Sequence, residues 1–339
     1  MTKQRIAYLS GLVMSVVLFI GLLVAGECAQ ERRWAEPPLN RSLADVLRED
    51  IASDDDGILC ANVGLAPVDS RSIPEHVVIY RSPEDSLLKV SPYGYDDMSL
   101  PPGDMMQAAT YTWLLDKKRI TLNDRIPTGP DSVSVREAFL RTSNEVSMPL
   151  FGRAPYFSDP YYFVSSLSRY FGSTRNFYLP RYYYRSLLED EYRSIFDGSG
   201  ILLSQDQLLS FYGSIARKGV KTDKAWYRRL RICSEETASA LATLLRENVL
   251  AGKDSLLAKN TVPIAAKSGS GILDKGWIPY REVRSSDPVR VSSIVGFFPS
   301  YAPKYTLCVT VYSSDAPRTE TAARIFGDIV DHLTEEGKL

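Results

Sequence analysis

The chain has 339 residues, of which 40 are lysine or arginine and 41 are aspartate or glutamate, so its formal net charge is −1. This balance argues against a general nucleic-acid binder, because such proteins carry a surplus of basic residues. The two histidines, His76 and His332, lie far apart and match no zinc-ligand spacing. We therefore expect no metal site and no cofactor, and a serine–histidine–aspartate triad is disfavoured.

An uncharged, mostly apolar segment covers residues 7–26. About 20 such residues match one crossing of a lipid bilayer. Lys3 and Arg5 precede it, so we expect residues 1–6 to stay in the cytoplasm and the rest of the chain to lie outside. A cleaved signal peptide is the alternative, but the apolar run is long for one. A lipoprotein signal is weak, because an acidic residue precedes Cys28.

Residues 27–54 are polar and proline-bearing, which predicts a tether. Within it, RSLADVLREDIAS (residues 41–53) has helical periodicity. HVVIYRSPEDSLLKVS (residues 76–91) is typical of a β-hairpin, since two apolar runs flank a Ser-Pro-Glu-Asp turn. LPPGDMMQAATYTWLLDKKRIT (residues 100–121) predicts a helix with a sharp start, because Pro-Pro-Gly interrupts what precedes it.

VSVREAFLRTSNEVSMPLFGR (residues 133–153) predicts a helix, a break near Thr142–Asn144, and a second helix. Residues 154–195 are rich in tyrosine, which favours a packed lid or helical insert. Aromatic side chains interleaved with arginine could instead bind a sugar or a partner.

The C-terminal half alternates helices with strands. Amphipathic patterns predict helices over residues 202–220, with Gly219 at the end, over residues 233–250, with Ser234 as N-cap, and over residues 319–333. Three late stretches indicate strands, namely TVPIAAKSGSG, VRVSSIVGFFPS and KYTLCVTVYSS. Cys308 on the last of these is expected to be a buried free thiol. A Cys60–Cys233 disulfide is compatible with an extracytoplasmic domain, but the sequence does not decide it.

Three short stretches stand in a characteristic order: PPGDMMQ at a helix start, RTSN at a helix break and AAKSGSG on a strand. In this order they resemble the transpeptidase domain of penicillin-binding proteins, which carries Pro-Gly-Ser-x-x-Lys, then Ser-x-Asn, then Lys-Thr/Ser-Gly. The flanking sequences extend the resemblance over about residues 55–335. The resemblance implies an α+β domain over residues 55–339, with a central antiparallel sheet flanked by helices. That sheet would combine an N-terminal hairpin with three C-terminal strands, as in the serine β-lactamase-like superfamily.

The second and third motifs keep the residue types of the family. The resemblance assigns the third-motif strand to docking the terminal carboxylate of the substrate, with a backbone N–H after the motif stabilising an oxyanion. The residues carried over as substrate-binding remnants are Thr142, Asn144, Lys267, Ser268, Gly269 and Ser270.

The first motif lacks the serine and the lysine of the family. Asp104 stands in the place of the nucleophilic serine, and Gln107 stands in the place of the lysine base. Attack by a carboxylate would leave a mixed anhydride, and an amide cannot transfer protons in the useful pH range. Another Ser-x-x-Lys sequence, Ser86 to Lys89, falls on a predicted strand, where residues three apart point to opposite faces. We therefore expect no intact catalytic residues.

Two structural expectations follow for the altered motif. Asp104 at the N-cap with Gln107 at the third helical position would form a capping pair. Lys267 should face Asp104 across the family cleft, so we expect an ion pair between them.

The resemblance implies a bacterial inner-membrane protein with a single pass and its domain on the periplasmic side. We expect an inactive transpeptidase homologue of peptidoglycan synthesis that acts as a scaffold, regulator or ligand-binding module. Its partners would be other cell-wall synthesis or division proteins, and a peptidoglycan stem peptide or β-lactam bound without a covalent bond. The alternatives are an active D,D-transpeptidase, D,D-carboxypeptidase or β-lactamase with an unorthodox nucleophile, and a non-covalent muropeptide or β-lactam sensor.

Overall fold

The structure is a computed structural model, and it describes eleven stretches of the chain. These are residues 38–52, 57–68, 74–81, 88–90, 99–128, 131–141, 160–172, 194–195, 197–223, 228–273 and 287–339. The apolar segment 7–26, Ser86, Thr142 and Asn144 lie outside the described residues. The chain divides into two compact units, residues 1–42 and residues 43–339. The larger unit therefore begins at Leu43, within the segment interpreted as a tether.

Seven α-helices and twelve strands are described, together with two 3₁₀ turns at Gly103–Met105 and Ser255–Lys259. The helices are α1 Pro38–Ala52, α2 Met106–Asp116, α3 Val135–Arg141, α4 Pro160–Phe171, α5 Gln205–Ala216, α6 Glu235–Ala251 and α7 Thr319–Glu335. The strands are β1 Ile58–Pro67, β2 Glu75–Arg81, β3 Leu88–Val90, β4 Ser99–Leu100, β5 Arg125–Thr128, β6 Asp131–Ser134, β7 Leu203–Ser204, β8 Val220–Asp223, β9 Arg228–Arg231, β10 Ala265–Leu273, β11 Val289–Phe298 and β12 Tyr305–Ser313.

Six strands form one antiparallel sheet in the order β10-β11-β12-β1-β2-β3. The β2–β3 hairpin and the three late strands confirm the sequence prediction, and with the covering helices they confirm the α+β class. Strand β1 was not predicted. It lies inside the sheet, where Val63 pairs with Val77 on one side and Val309 on the other. Because it is buried on both faces, its apolar residues run without the alternation that marks a half-exposed strand.

Helices cover both faces of the sheet. Gln205 of α5 donates to Thr310 Oγ1 at 2.9 Å, so α5 lies on the face that carries the even-numbered residues of β12. Phe326 of α7 packs edge to face with Phe298, at 6.1 Å between ring centroids. Phe298 pairs with Tyr305 in the sheet register, so α7 lies on the opposite face. The sheet is therefore the middle layer of a three-layer domain.

Helix α1 confirms the helix predicted at residues 41–53, but its second half is part of the core. Leu43, Leu47 and Ile51 are at most 1% exposed. Their spacing of four residues places them on one face of the helix. Residues 43–52 therefore pack as a structural element of the domain.

Capping explains where the later helices begin. Ser204 forms a capping box with Gln207 at the start of α5. Ser234 accepts a hydrogen bond from the Thr237 backbone N–H, which confirms it as the N-cap of α6. Gly219, three residues after the end of α5, has a φ of +82°, a left-handed conformation that glycine adopts without strain.

The described cysteines are Cys60, Cys233 and Cys308, and all three are buried free thiols. The buried free thiol predicted for Cys308 is confirmed, and Cys60 and Cys233 form no disulfide in this structure. Among the described residues, no helix is long and apolar enough to cross a membrane.

Candidate functional site

Strand β10 lies against the 3₁₀ turn that precedes α2, and this contact builds the candidate site. A Cβ on Gly269 would lie 2.1 Å from the Pro102 carbonyl oxygen. A Cβ on Gly103, whose φ is +49°, would lie 2.3 Å from the Ser270 carbonyl oxygen. Such distances are far below van der Waals contact, so glycine is required at both positions. The structure thus brings the first and third sequence motifs together.

Two further contacts hold the turn in place. The Gly103 N–H donates to the Gly198 carbonyl oxygen at 3.3 Å. The buried Tyr212 hydroxyl donates to the Met105 carbonyl oxygen at 3.1 Å. Gly198 and Tyr212 were missed by the sequence reasoning, and each supports the first motif from a distant part of the chain.

Asp104 lies in the turn and contacts a cation that the sequence did not suggest. Its Oδ2 lies 3.0 Å from Lys253 Nζ, and the two side chains are 20% and 39% exposed. The negative charge of Asp104 also acts on Lys267 and raises its pKa, and the predicted Asp104–Lys267 ion pair stays a prediction. The contact with Lys253 depends on the loop after α6, and no local sequence pattern predicts where that loop lies.

The predicted capping pair was wrong. Residue Met105 is the N-cap of α2, and no side chain caps that helix. In the 3₁₀ turn the backbone supplies a partner for one N–H group at the helix start, because the Met105 N–H donates to the Pro102 carbonyl oxygen at 3.1 Å. Gln107 lies in the first turn of α2 with 3% of its surface exposed.

Lys267 is fully buried beneath the turn. Its Nζ lies 5.4 Å from the centroid of the Phe139 ring, a cation–π contact. Burial lowers the pKa of Lys267 to about 8, because the charged form loses its hydration. The carboxylates of Asp254 and Asp104 oppose this effect, and the ammonium of Lys253 adds to it.

Asp254 joins β10 to the end of α6. Its Oδ2 accepts from the Ser268 backbone N–H at 2.8 Å and from Asn248 Nδ2 at 2.5 Å. Asn248 also donates to the Ala266 carbonyl oxygen at 3.0 Å. Asp254 is 2% exposed. It therefore contributes a buried negative charge beside Lys267, at a position that matches none of the three motifs.

Ser268 and Ser270 of the third-motif strand differ in their exposure to solvent. Ser268 is fully buried, so its hydroxyl faces the interior. Ser270 is exposed, and its backbone lies against the turn. Where acyl transfer requires a hydroxyl and an amine, this site presents the carboxylate of Asp104 and the amide of Gln107.

Comparison with known proteins agrees with this geometry. Residues 181–331 match the family model described as the penicillin binding protein transpeptidase domain. No curated protein matches the chain.

Solved structures share the fold at low identity. The transpeptidase domain of Burkholderia pseudomallei penicillin-binding protein 3 has a TM-score of 0.68 and 18% identity, over 89% of this chain and 95% of that one. The transpeptidase domain of the Legionella pneumophila D,D-transpeptidase FtsI4 has a TM-score of 0.62 and 13% identity, over 88% of this chain and 97% of that one. A Bifidobacterium adolescentis peptidoglycan synthetase has a TM-score of 0.67 and 15% identity, over 88% of this chain but only 59% of that longer one.

Residues 181–331 thus match the penicillin binding protein transpeptidase model, and the described fold is that of penicillin-binding-protein transpeptidase domains. The resemblance inferred from the three motifs is confirmed.

Proposed function

We propose that this protein is a catalytically inactive transpeptidase homologue that acts in peptidoglycan synthesis by binding rather than by acyl transfer. The observation that carries the proposal is the contact of Asp104 Oδ2 with Lys253 Nζ, 3.0 Å apart, at the position of the family nucleophile. A charge-paired carboxylate has no hydroxyl to acylate. Gln107 beside it has no proton to exchange in the neutral range.

The retained part of the site supports a binding role. Strand β10 keeps its Lys-Ser-Gly sequence and its close approach to the turn, which is what the family resemblance expects of a substrate-binding strand. A peptidoglycan stem peptide or a β-lactam, bound without a covalent bond, is the ligand class that such a surface suits. Other cell-wall synthesis or division proteins are the proposed macromolecular partners.

The apolar segment 7–26 supports an inner-membrane anchor with the domain on the periplasmic side. Peptidoglycan is assembled on that side of the membrane, so the proposed location and the proposed ligand class agree. Anchoring would keep a scaffold or regulator close to the active synthases.

Labelling with a fluorescent penicillin tests the loss of catalysis. We expect no covalent labelling of the wild-type chain and labelling of the Asp104→Ser, Gln107→Lys double variant, since the double variant regains a hydroxyl and an amine three residues apart, in the 3₁₀ turn and at the start of α2. The matched control is Asp104→Ala, Gln107→Lys, which regains the amine but not the hydroxyl.

Covalent labelling of the wild-type chain would contradict the proposal. If Ser86→Ala then abolished that label, the unorthodox nucleophile would be established. Isothermal titration of the wild-type chain with a stem peptide tests the binding role separately, with Lys253→Met and the exposed-site control Lys259→Met compared in parallel.

A further inference from the structure

A group of exposed cations lies where the end of α2, the end of α4 and the β8–β9 hairpin meet. We call this group the basic patch, and none of its residues belongs to the candidate site. Its members come from three separate parts of the chain and are all exposed, namely Lys117, Lys118, Arg119, Arg169, Arg229 and Arg231.

Hydrogen bonds between distant segments hold these three parts together. Asp116, the last residue of α2, accepts from the Ser234 backbone N–H at 2.8 Å through its Oδ1. Ser234 is three residues after the end of β9, so residues 117–119 begin beside the hairpin. Arg169 Nη2 of α4 donates to the Arg231 carbonyl oxygen at 2.6 Å. The three parts therefore form one surface.

Two guanidinium groups of the patch bind carbonyl oxygens. Arg231 Nη1 donates to the carbonyl oxygens of Lys218 at 3.1 Å and Cys233 at 3.4 Å. Arg169 binds the Arg231 carbonyl oxygen in the same way. A carbonyl oxygen has a partial but no formal charge, so these contacts position the cations without neutralising them.

Acidic residues offset the positive charge of this region only in part. Glu235 forms an ion pair with Lys218, which lies outside the patch, at 2.8 Å. Residues 116–119 and 218–236 together contain nine lysines or arginines and four acids. The whole chain has a net charge of −1, so this region is positive in a chain that is otherwise negative.

The composition of the patch suits a negatively charged lipid surface better than another protein. Clusters of lysine and arginine are attracted to anionic headgroups. A stable protein interface has an apolar core and few lysines. Among the large hydrophobic side chains that are exposed in the described part of the chain, only Leu230 lies on these segments.

The chain itself would keep the patch close to a bilayer. Residues 27–37 separate the apolar segment 7–26 from α1. A chain of that length spans at most about 40 Å when fully extended. With segment 7–26 in a membrane, the domain is held at a high effective concentration near the lipid, so individually weak charge contacts are sufficient.

We propose that the basic patch docks the domain onto the anionic phospholipid headgroups of the membrane in which segment 7–26 is anchored. The inference rests on the proposed membrane location. Its consequence is that the domain adopts a preferred orientation on the bilayer, and the candidate site with it.

Fluorescence quenching of the full chain in lipid vesicles tests the docking. A bimane label on Thr222→Cys reports on the patch, because Thr222 is uncharged and pairs with Arg229 across the hairpin. Cys28→Ser is the background, since the three described cysteines are buried. The quencher is a phospholipid with a spin label on its headgroup.

Quenching should depend on the charge of the lipid. We expect it to be at least about threefold stronger in phosphatidylcholine vesicles with about 30% phosphatidylglycerol than in pure phosphatidylcholine vesicles. Sodium chloride at about 0.5 M should remove the difference, because salt shortens the range of the attraction.

Charge variants separate the patch from the net charge of the chain. The patch variant carries Lys117→Gln, Lys118→Gln and Arg119→Gln, and it should lose more than about half of the additional quenching. The matched control should be quenched as the wild type is, because it loses the same charge from three exposed cations outside the patch. Its substitutions are Arg246→Gln, Lys259→Gln and Lys304→Gln.

Flotation with pure phosphatidylcholine vesicles tests the anchor separately. A chain that floats only with the anionic vesicles, and whose label is quenched there, contradicts the proposed anchor but supports the patch. A chain that floats with both kinds of vesicle but shows equal quenching in both overturns the docking. An equal loss of quenching in the patch variant and its control overturns it as well.

Two further measurements complete the test. If the label responds to soluble poly-glutamate but is not quenched in anionic vesicles, the patch binds an acidic protein and the proposal is wrong. If Thr222→Cys fails to fold, Leu230→Cys on the neighbouring strand carries the label, since its side chain is already 37% exposed.

Discussion

Lys267 experiences charges of both signs at the candidate site. Asp254 and Asp104 raise its pKa, whereas burial and the ammonium of Lys253 lower it. Inside a protein such interactions are much stronger than in water, because the effective dielectric constant is low. The pKa of Lys267 therefore depends on where its charged neighbours lie.

Two substitutions should move the pKa of Lys267 in opposite directions. Asp104→Asn removes a favourable charge and should lower that pKa, whereas Lys253→Met removes a like charge and should raise it. Titration of the lysine side-chain ¹³C signals by NMR, with Lys267 assigned through Lys267→Arg, measures both. The exposed Lys259→Met variant is the control and should leave the pKa unchanged. Shifts of the same sign in both variants would contradict this electrostatic account.

The contacts of individual charged residues were harder to predict from the sequence than the meeting of the motifs. The first and third motifs lie against each other, as the order that resembles a known family predicted, and the second motif lies outside the described residues. The contact of Asp104 with Lys253 was not predicted, because Lys253 is 149 residues away in sequence and its position depends on how α6 ends. Lys267, which the family resemblance suggested as the partner, is buried beside Phe139, and the charge of Asp104 raises its pKa.

At the scale of elements, the site depends on how closely β10 approaches the turn before α2. Gly269 and Gly103 allow backbone to meet backbone, and Gly198 extends the contact with a φ of +81°. No side chain can enter these contacts, so the spacing between helix and strand is determined by glycine. The approach of β10 to the turn is therefore sensitive to a single added methyl group.

A methyl group at Gly269 should test this spacing. We expect Gly269→Ala to lower the free energy of unfolding by about 1–3 kcal/mol, because its Cβ would overlap the Pro102 carbonyl oxygen. Gly213→Ala, inside α5, is the matched control. Its Cβ would come no closer than 3.3 Å, to Arg217 Nη1, so its effect should stay within about 1 kcal/mol. Chemical denaturation measures both, and equal effects would refute the role of the close approach.

Most elements were predictable from local patterns, and the exceptions share a cause. Helices α5, α6 and α7 have apolar periodicity and the first two have capping serines, so their sequence identifies them. Strand β1 lacks the alternation of a half-exposed strand, because both of its faces are covered. The capping pair failed because a 3₁₀ turn precedes α2, and such turns have no distinct sequence pattern.

On the scale of the whole molecule, the start of the folded domain was placed too late by the sequence. The tether interpretation relied on composition, since residues 27–54 are polar on average. Composition does not show that Leu43, Leu47 and Ile51 share one face and are buried. The folded unit thus extends twelve residues before the predicted start at residue 55.

Truncation should measure the contribution of α1. We expect a chain that starts at residue 54 to be less stable than one that starts at residue 38 by about 3 kcal/mol or more, because three aliphatic side chains lose their burial. A chain from residue 38 with Leu43→Ala, Leu47→Ala and Ile51→Ala should reproduce most of the loss. Equal denaturation midpoints for the two truncations would show that α1 adds nothing to the domain.

The position of β1 beside β12 has a consequence for the order in which the chain can fold. The Thr306 hydroxyl of β12 donates to the Ala66 carbonyl oxygen of β1, across 240 residues of sequence. Because β1 lies between β2 and β12, the N-terminal strands can form only a three-stranded fragment until the last strand has been synthesised. Contacts of such high sequence separation slow folding and leave apolar strand edges open to aggregation. The β12-facing edge of β1 therefore stays unpaired until the last strand of the sheet has been synthesised.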